Sequence, residues 1–432
     1  MFFQKDIETM SRKDIEALQL ERLKRICQYC YDNVPFYHKR MDEVGFDPAK
    51  IRVLTDIEHM PYTTKEDIRD NYPTGLFAVP MKDIVRIHAS SGTTGKPTVV
   101  GYTRNDLDNW SDCVARLVTA AGATSEDIVQ ISFGYGLFTG ALGLHYGLEK
   151  IGAAVIPISS GNTEKQVMML EDMGVTALVS TPSYALYMSE VAREKGVLDK
   201  LKLRLGLFGS EGCTPEMRDQ IEKGFNVFAT DNYGMSELCG PGVSGECIYR
   251  CGMHINEDHF LPELIDPKTG EKVGSGEVGE LVVTTLTKEG IPLLRYRTKD
   301  LTTIDYEPCK CGRTFARMAK PMGRSDDMLK IRGVNVFPTQ IESVLMTQPH
   351  IGGHYQLIVR REGYFDTLEV KVELIDGSLL DNYGQLESLQ KKISADLKSV
   401  LGIQAKVTLC EPKSIERFQG KAKRIVDLRN EK

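Results

Sequence analysis

The chain has 432 residues, of which 41% are apolar and 26% charged. That length allows two or three domains around a large core, and that composition excludes a chain dominated by disorder. A formal net charge of −6 with no Lys/Arg run excludes a nucleic-acid footprint, and no apolar run approaches a membrane span.

The first residues, Met1-Phe2-Phe3-Gln4-Lys5-Asp6, lead into charge and not into an apolar signal region. Ten cysteines in such a chain read as cytosolic thiols or metal ligands and not as a disulfide framework, so a cytoplasmic enzyme is expected. Leu20, Leu23, Cys27 and Cys30 then recur at helical spacing, with Ser11 and Asp14 placed as a capping box. The spacing predicts that Cys27 and Cys30 form a helix's buried face, not a redox or zinc pair.

Next comes Ser90-Ser91-Gly92-Thr93-Thr94-Gly95-Lys96-Pro97. Glycines let backbone N–H groups approach an anion, while hydroxyls and an ammonium add donors and charge, so the loop reads as a grip on nucleotide phosphates. It is not a P-loop of the strand-to-helix kind: only two residues separate Gly92 from Gly95, and Pro97 steers Lys96 away from helical geometry.

Between about residues 85 and 235, short β-rich runs alternate with helical ones, which predicts parallel strands joined by crossover helices. The runs are 127–131, 153–158, 176–180 and 204–208, and 163–173 reads as a helix with a Thr cap and Gly174 as its stop. After about residue 245 short strands with Gly-rich turns suggest a small antiparallel barrel. Gly274-Ser275-Gly276-Glu277-Val278-Gly279 matches a dinucleotide fingerprint by letter, yet a strand comes after it where a helix is required, so it reads as a turn. Cys309 and Cys311, with Cys247, Cys251 and His254 upstream, could close a tetrahedral zinc site of structural type. Cys251 and His254 compete for one position, and free thiols are the alternative. A hinge is placed at 324–327, before a small α+β domain with strands near 355–359 and 368–374.

Asp231-Asn232-Tyr233-Gly234-Met235-Ser236-Glu237, Arg295-Tyr296-Arg297-Thr298-Lys299-Asp300, Gly323-Arg324-Ser325-Asp326-Asp327 and Gln419-Gly420-Lys421 come after the first loop in order. Together these motifs resemble the acyl-adenylate-forming ligases. Tyr135-Gly136-Leu137-Phe138-Thr139-Gly140, Glu257-Asp258-His259-Phe260 and the run from Gly323 through Met328 to Pro338 narrow the likeness to the phenylacetate–coenzyme A ligase family. It spans roughly residue 30 to the C-terminus. It implies an α/β fold: a large N-terminal domain over 1–323, with stacked, mostly parallel sheets and a small β-barrel, and a small mobile α+β domain over 324–432.

The resemblance further implies ligation of an arylacetic acid to coenzyme A through an acyl-adenylate, with ATP and Mg²⁺. Ser90, Ser91, Gly92, Thr93, Thr94, Gly95 and Lys96 would hold the β- and γ-phosphates. Ser210, Glu211, Asp231, Asn232, Tyr233, Gly234 and Met235 would line the adenine side, with Tyr233 stacking on the base. Asp300 would accept the ribose hydroxyls and Arg324 would contact the nucleotide. Glu237 would bind Mg²⁺ beside Ser236, where the family commonly has Thr. Lys421 would bridge the carboxylate and the α-phosphate, Asp326 would be the pivot, and Tyr135 with Phe138 would shape a flat aromatic slot. No nucleic-acid or membrane partner is expected, and a homodimer is left open. Two rival readings are an adenylyltransferase of this fold that never uses coenzyme A and a non-catalytic, zinc-stapled interaction protein.

Overall fold

After a short helix at Lys5–Glu8, Ser11 caps the first long helix, Arg12–Asn33, by accepting from the Asp14 amide at 3.2 Å. Asp14 takes the Ser11 hydroxyl at 2.6 Å. The computed structural model describes residues 1–90, 97–326, 329–331, 334–362, 365–417 and 424–429. Cys27 and Cys30 are fully buried in the main core, as their spacing predicts, and burial pushes both thiols up, away from reactivity.

Strands β1 (Arg86–Ala89) and β2 (Val99–Tyr102) pair antiparallel and bracket the 90–97 loop. The Ser90 amide donates to Thr98 O at 2.9 Å, and Ser90 Oγ accepts from the Thr98 amide at 3.0 Å. The loop therefore departs from a hairpin and not from a strand leading into a helix. Strands β3 (Ile128–Ile131), β4 (Ala154–Ile156), β5 (Ala177–Ser180), β6 (Leu205–Gly209) and β7 (Phe228–Met235) run parallel, with helices between them. The segment β5 is buried at every position, as expected of a strand covered on both faces. The helix between β4 and β5 spans Thr163–Asp172, and its cap is Asn162, not Thr163. Asn162 sits at φ 46°, where its carboxamide accepts from the Lys165 amide, so Thr163 becomes the first helical residue. Gly174 at φ 58° stops the chain just past the helix end.

With β8 (Gly240–Glu246) and β9 (Met253–Ile255) the large sheet continues antiparallel. Strands β10 (Phe260–Ile265), β11 (Gly279–Thr285) and β12 (Tyr296–Thr302) make a separate three-stranded sheet. Strands β13 (Ile304–Asp305) and β14 (Arg317–Met318) complete the edge of the nine-stranded sheet, ordered β13-β14-β9-β8-β7-β6-β5-β3-β4. The glycine-rich 274–279 segment is a turn that runs straight into β11, as expected.

The motif Glu257-Asp258-His259 is a clasp between layers. Arg12 Nη1 reaches Glu257 at 2.8 Å and Arg116 Nη1 reaches Asp258 at 2.7 Å, with both acids buried. Charges so enclosed hold only while paired, so the clasp ties the first long helix and Arg104–Ala121 to the sheet.

Strands β15 (Leu329–Ile331) and β16 (Val334–Val336) open the last part of the chain. Strands β17 (Ile351–Glu362), β18 (Phe365–Leu374), β19 (Lys406–Cys410) and β20 (Ile425–Asp427) form its four-stranded sheet, covered by the helices Pro338–Met346 and Tyr383–Leu401. Leu345, Leu357, Val370, Val372, Ile393 and Leu397 bury there into a hydrophobic cluster of its own. This body rests on the helix Pro182–Glu194: His354 Nε2 lies 3.2 Å from Glu190, Arg417 Nη2 lies 3.6 Å from Glu190, and Lys413 pairs with Glu194.

Candidate active site

β3, β5, β6 and β7 run parallel, so their carboxyl ends share one edge of the sheet, the place where open α/β sheets bind ligands in a crevice. From β3 the chain runs through the 132–139 loop, which lies against β1: the Ala89 amide donates to Leu137 O at 2.9 Å, and His88 Nδ1 lies 3.0 Å from the same oxygen. Thr139 Oγ1, at the end of that loop, is 3.1 Å from Ser236 Oγ. The β1–β2 hairpin, the 132–139 loop and the Ser236-Glu237 turn thus converge. Ser91, Gly92, Thr93, Thr94, Gly95, Lys96 and Lys421 lie outside the described residues.

The turn itself is forced by packing. A Cβ on Gly234 would stand 1.6 Å from Gly240 O, so only glycine lets β7 and β8 close this tightly. The closure buries Glu237 to 3% exposure, with Lys65 Nζ at 3.7 Å from its carboxylate. A buried oxygen donor beside two hydroxyls fits a hard divalent cation that also binds phosphate oxygens.

Behind the turn, Tyr102 donates to Ser236 O at 3.2 Å, and Lys288 Nζ donates to Glu237 O at 2.9 Å and Leu238 O at 2.6 Å. Burial lowers the Lys288 pKa to about 8, against the opposing pull of Asp106, Cys239 and Glu237. Sequence reasoning missed Lys65, Tyr102, Thr139 and Lys288. Thr139 closes the Tyr135-to-Gly140 motif without any sign of its contact with Ser236, and Lys65, Tyr102 and Lys288 lie outside every motif.

On the nucleoside side, Tyr233 donates to Asp300 Oδ2 at 2.6 Å, and burial with the Asp300 charge drives the phenol well above its ordinary range. Arg324 Nη1 reaches Asp300 Oδ1 at 3.2 Å while its Nε and Nη2 reach Asp326 at 2.8 and 2.9 Å. Asp326 and Asp300 are therefore joined through one guanidinium. Asn232 Nδ2 donates to Phe208 O at 2.6 Å, holding the β6 and β7 ends together, and Glu211 accepts from the Ser183 amide at 2.6 Å. Asp231 turns its carboxylate away, to Arg218 at 2.6 Å and to Lys320, in a buried cluster that includes Glu246. Only its backbone is left for a nucleotide. Ser210 sits at φ 71°, a strained position for a non-glycine at a crevice lip.

In the 132–139 loop, Tyr135 packs against the core with its hydroxyl 3.0 Å from His145 Nδ1, and His145 Nε2 lies 3.1 Å from Glu149. Phe138 is 50% exposed.

Far from the crevice, Cys247 Sγ, His254, Cys309 Sγ and Cys311 Sγ place one ligand atom each within 4.8 Å of one another. His254 Nε2 lies 3.4 Å from Cys311 Sγ, and its buried Nδ1 has no hydrogen-bond partner. Cys251 is exposed, with its Sγ 3.4 Å from Cys309 Sγ. The geometry gathers His254 into the set and leaves Cys251 at its rim.

Comparison with known proteins decides the family. The family model of the AMP-binding enzyme matches residues 17–287, and that of the AMP-binding enzyme C-terminal domain matches 333–429. The phenylacetate-coenzyme A ligase of Thermus thermophilus is 49% identical, over 99% of this chain and 100% of that relative. The chain belongs to the phenylacetate–coenzyme A ligase family. It is accordingly an AMP-forming acid–thiol ligase. Among solved structures, 2-hydroxyisobutyryl-CoA ligase in the postadenylation state with an acyl-AMP superposes with a TM-score of 0.92 at 30% identity, covering 98% of this chain and 91% of that one. The same ligase with acyl-AMP and CoA in the thioesterification state gives 0.73 at 30% identity, over 99% and 93%. This chain thus superposes more closely on that ligase's postadenylation structure than on its thioesterification structure. Among the described residues, no helix is long and apolar enough to cross a membrane.

Proposed function

We propose that this ligase activates an arylacetic acid, phenylacetate foremost, in the cytoplasm. The carrying observation is that the Tyr135-to-Phe138 loop ends in Thr139, bonded to Ser236, so aromatic surface borders the place where an acyl group would meet the α-phosphate. In the first half-reaction a carboxylate oxygen forms a bond to the α-phosphorus and the bond to the β-phosphate bridging oxygen breaks, releasing pyrophosphate. In the second, the coenzyme A sulfur bonds to the acyl carbon, the thiol proton is lost to solvent and AMP leaves.

The 90–96 loop, with Ser90, holds the β- and γ-phosphates, and Asp300 takes the ribose hydroxyls beside Tyr233. Glu237 would hold Mg²⁺, which would supply neutralisation of phosphate charge, and the Ser236 hydroxyl would face the α-phosphate. Lys421 offsets the repulsion of carboxylate and phosphate. We further propose that 1–323 and 324–432 are the two bodies, turning at Asp326 between half-reactions.

A carboxylate panel with ATP, Mg²⁺ and coenzyme A tests the substrate class. Phenylacetate is expected to exceed acetate in kcat/KM by about a hundredfold or more, since a ring-shaped slot gives a two-carbon acid little to bind. Comparable values would reject the aromatic slot.

A structural zinc held by Cys247, His254, Cys309 and Cys311 belongs to the same proposal, supported by the orphaned His254 Nδ1 and three gathered sulfurs. About one zinc per chain should survive dialysis and be lost from a Cys309→Ser/Cys311→Ser double variant. Metal analysis finding none in protein purified without chelators would end the zinc reading and leave the ligase reading intact.

A further inference from the structure

Lys288 is 6% exposed and lies in the segment after β11, outside every motif that points to the reaction. Its ammonium meets two successive carbonyls, Glu237 O and Leu238 O, and stands 4.9 Å from the Tyr102 ring centroid. Tyr102 takes the preceding carbonyl, Ser236 O, with its hydroxyl. Three consecutive peptides of the 236–239 turn are thus gripped from behind by one cation and one phenol.

Both gripping residues are themselves fixed. Tyr102 is fully buried and stacks on Trp110 at 5.1 Å between centroids, and Trp110 Nε1 donates to Pro241 O at 2.5 Å, just beyond the turn. The backbone beside Lys288 is held by the buried Asp106, which accepts from the Glu289 amide at 2.7 Å and the Gly290 amide at 2.8 Å. A Cβ on Gly290 would stand 2.4 Å from Gly101 O, so this segment packs backbone to backbone against β2. An apolar side chain could fill the same volume, but it would leave buried carbonyls unpaired. Lysine offers three donors and matches carbonyls turned inward.

We infer that Lys288 is a positioning residue: by holding the Glu237 and Leu238 carbonyls behind the turn, it aims the Glu237 carboxylate and the Ser236 hydroxyl into the crevice. It touches no substrate and acts only through the turn. The inference rests on the reading of Glu237 as the oxygen ligand for the nucleotide's divalent cation.

The test measures binding as well as rate. Mn²⁺ is titrated by electron paramagnetic resonance into enzyme holding a non-hydrolysable ATP analogue, for wild type, Lys288→Met, Lys288→Gln, Tyr102→Phe and Glu237→Gln. Lys288→Met is expected to weaken Mn²⁺ binding about tenfold or more and to lower adenylation kcat by about a hundredfold. The carboxylate KM should stay within about twofold, and transfer from a supplied acyl-adenylate to coenzyme A should be unchanged. Lys288→Gln, which keeps a donor, should fall between, and Tyr102→Phe should shift Mn²⁺ affinity in the same direction by less. Thermal denaturation reports the folded fraction. Unchanged Mn²⁺ affinity in folded Lys288→Met, or losses that only track the folded fraction, would overturn the inference. Should neither Lys288 variant fold, Tyr102→Phe decides: unchanged Mn²⁺ affinity overturns it. If Glu237→Gln itself leaves Mn²⁺ binding intact, the reading of Glu237 fails first; if it alone loses binding, only the role of Lys288 fails.

Discussion

Lys421→Ala protein is expected to lose adenylation by several orders of magnitude while still passing a supplied aryl-acyl-adenylate to coenzyme A. The reason is electrostatic. Adenylation brings a carboxylate against a triphosphate, and an ammonium between them acts where charges crowd in the transition state, an effect worth several kcal/mol. Once the mixed anhydride exists, the carboxylate charge is gone and the ammonium has nothing left to offset. Pyrophosphate exchange measures the first half-reaction, and thioester formation from synthetic adenylate measures the second. Equal loss of both in well-folded protein would show that one conformation serves both steps and that the two-body reading is wrong.

Asp326→Pro should show the opposite asymmetry. Asp326 is tied to Arg324 at 2.8 and 2.9 Å, and Arg324 to Asp300 at 3.2 Å. On the proposed two-body reading, a turn of the C-terminal body changes backbone torsions near this residue and parts Glu190 from His354 and Glu194 from Lys413. Proline fixes φ and removes the amide donor. Thioester formation from supplied adenylate is therefore expected to fall by about a hundredfold, with adenylation within about fivefold of wild type. Asp326→Ala separates the two causes, because it removes the ion pair and leaves φ free. If Asp326→Ala matches Asp326→Pro, the ion pair and not the pivot controls the step.

Much of this molecule is legible in local sequence. The runs at 127–131, 176–180 and 204–208 read as strands because short β-rich segments alternate there with helical ones, the pattern of parallel strands joined by crossovers. The 274–279 segment reads as a turn because the residues after it have the pattern of a strand. Cys27 and Cys30 can be assigned to a core face because helical periodicity is a property of neighbours. The helix cap is different: it falls at Asn162 and not at Thr163, since a left-handed Asn that still caps a helix has no simple letter signature.

The motif order by itself determined the family, because each motif carries its own local chemistry. Only the tertiary structure decided which atoms stand behind that chemistry. Asp231 lies within a nucleotide motif, yet its carboxylate belongs to Arg218 and Lys320, which come from elsewhere in the chain. His254 gathers with Cys247, Cys309 and Cys311, while the exposed Cys251 stands at their rim beside Cys309. Lys288 and Tyr102 meet the Glu237 turn from positions 51 and 134 residues away. Contacts over such separations depend on how sheets and helices pack, and they leave no period or spacing along the chain.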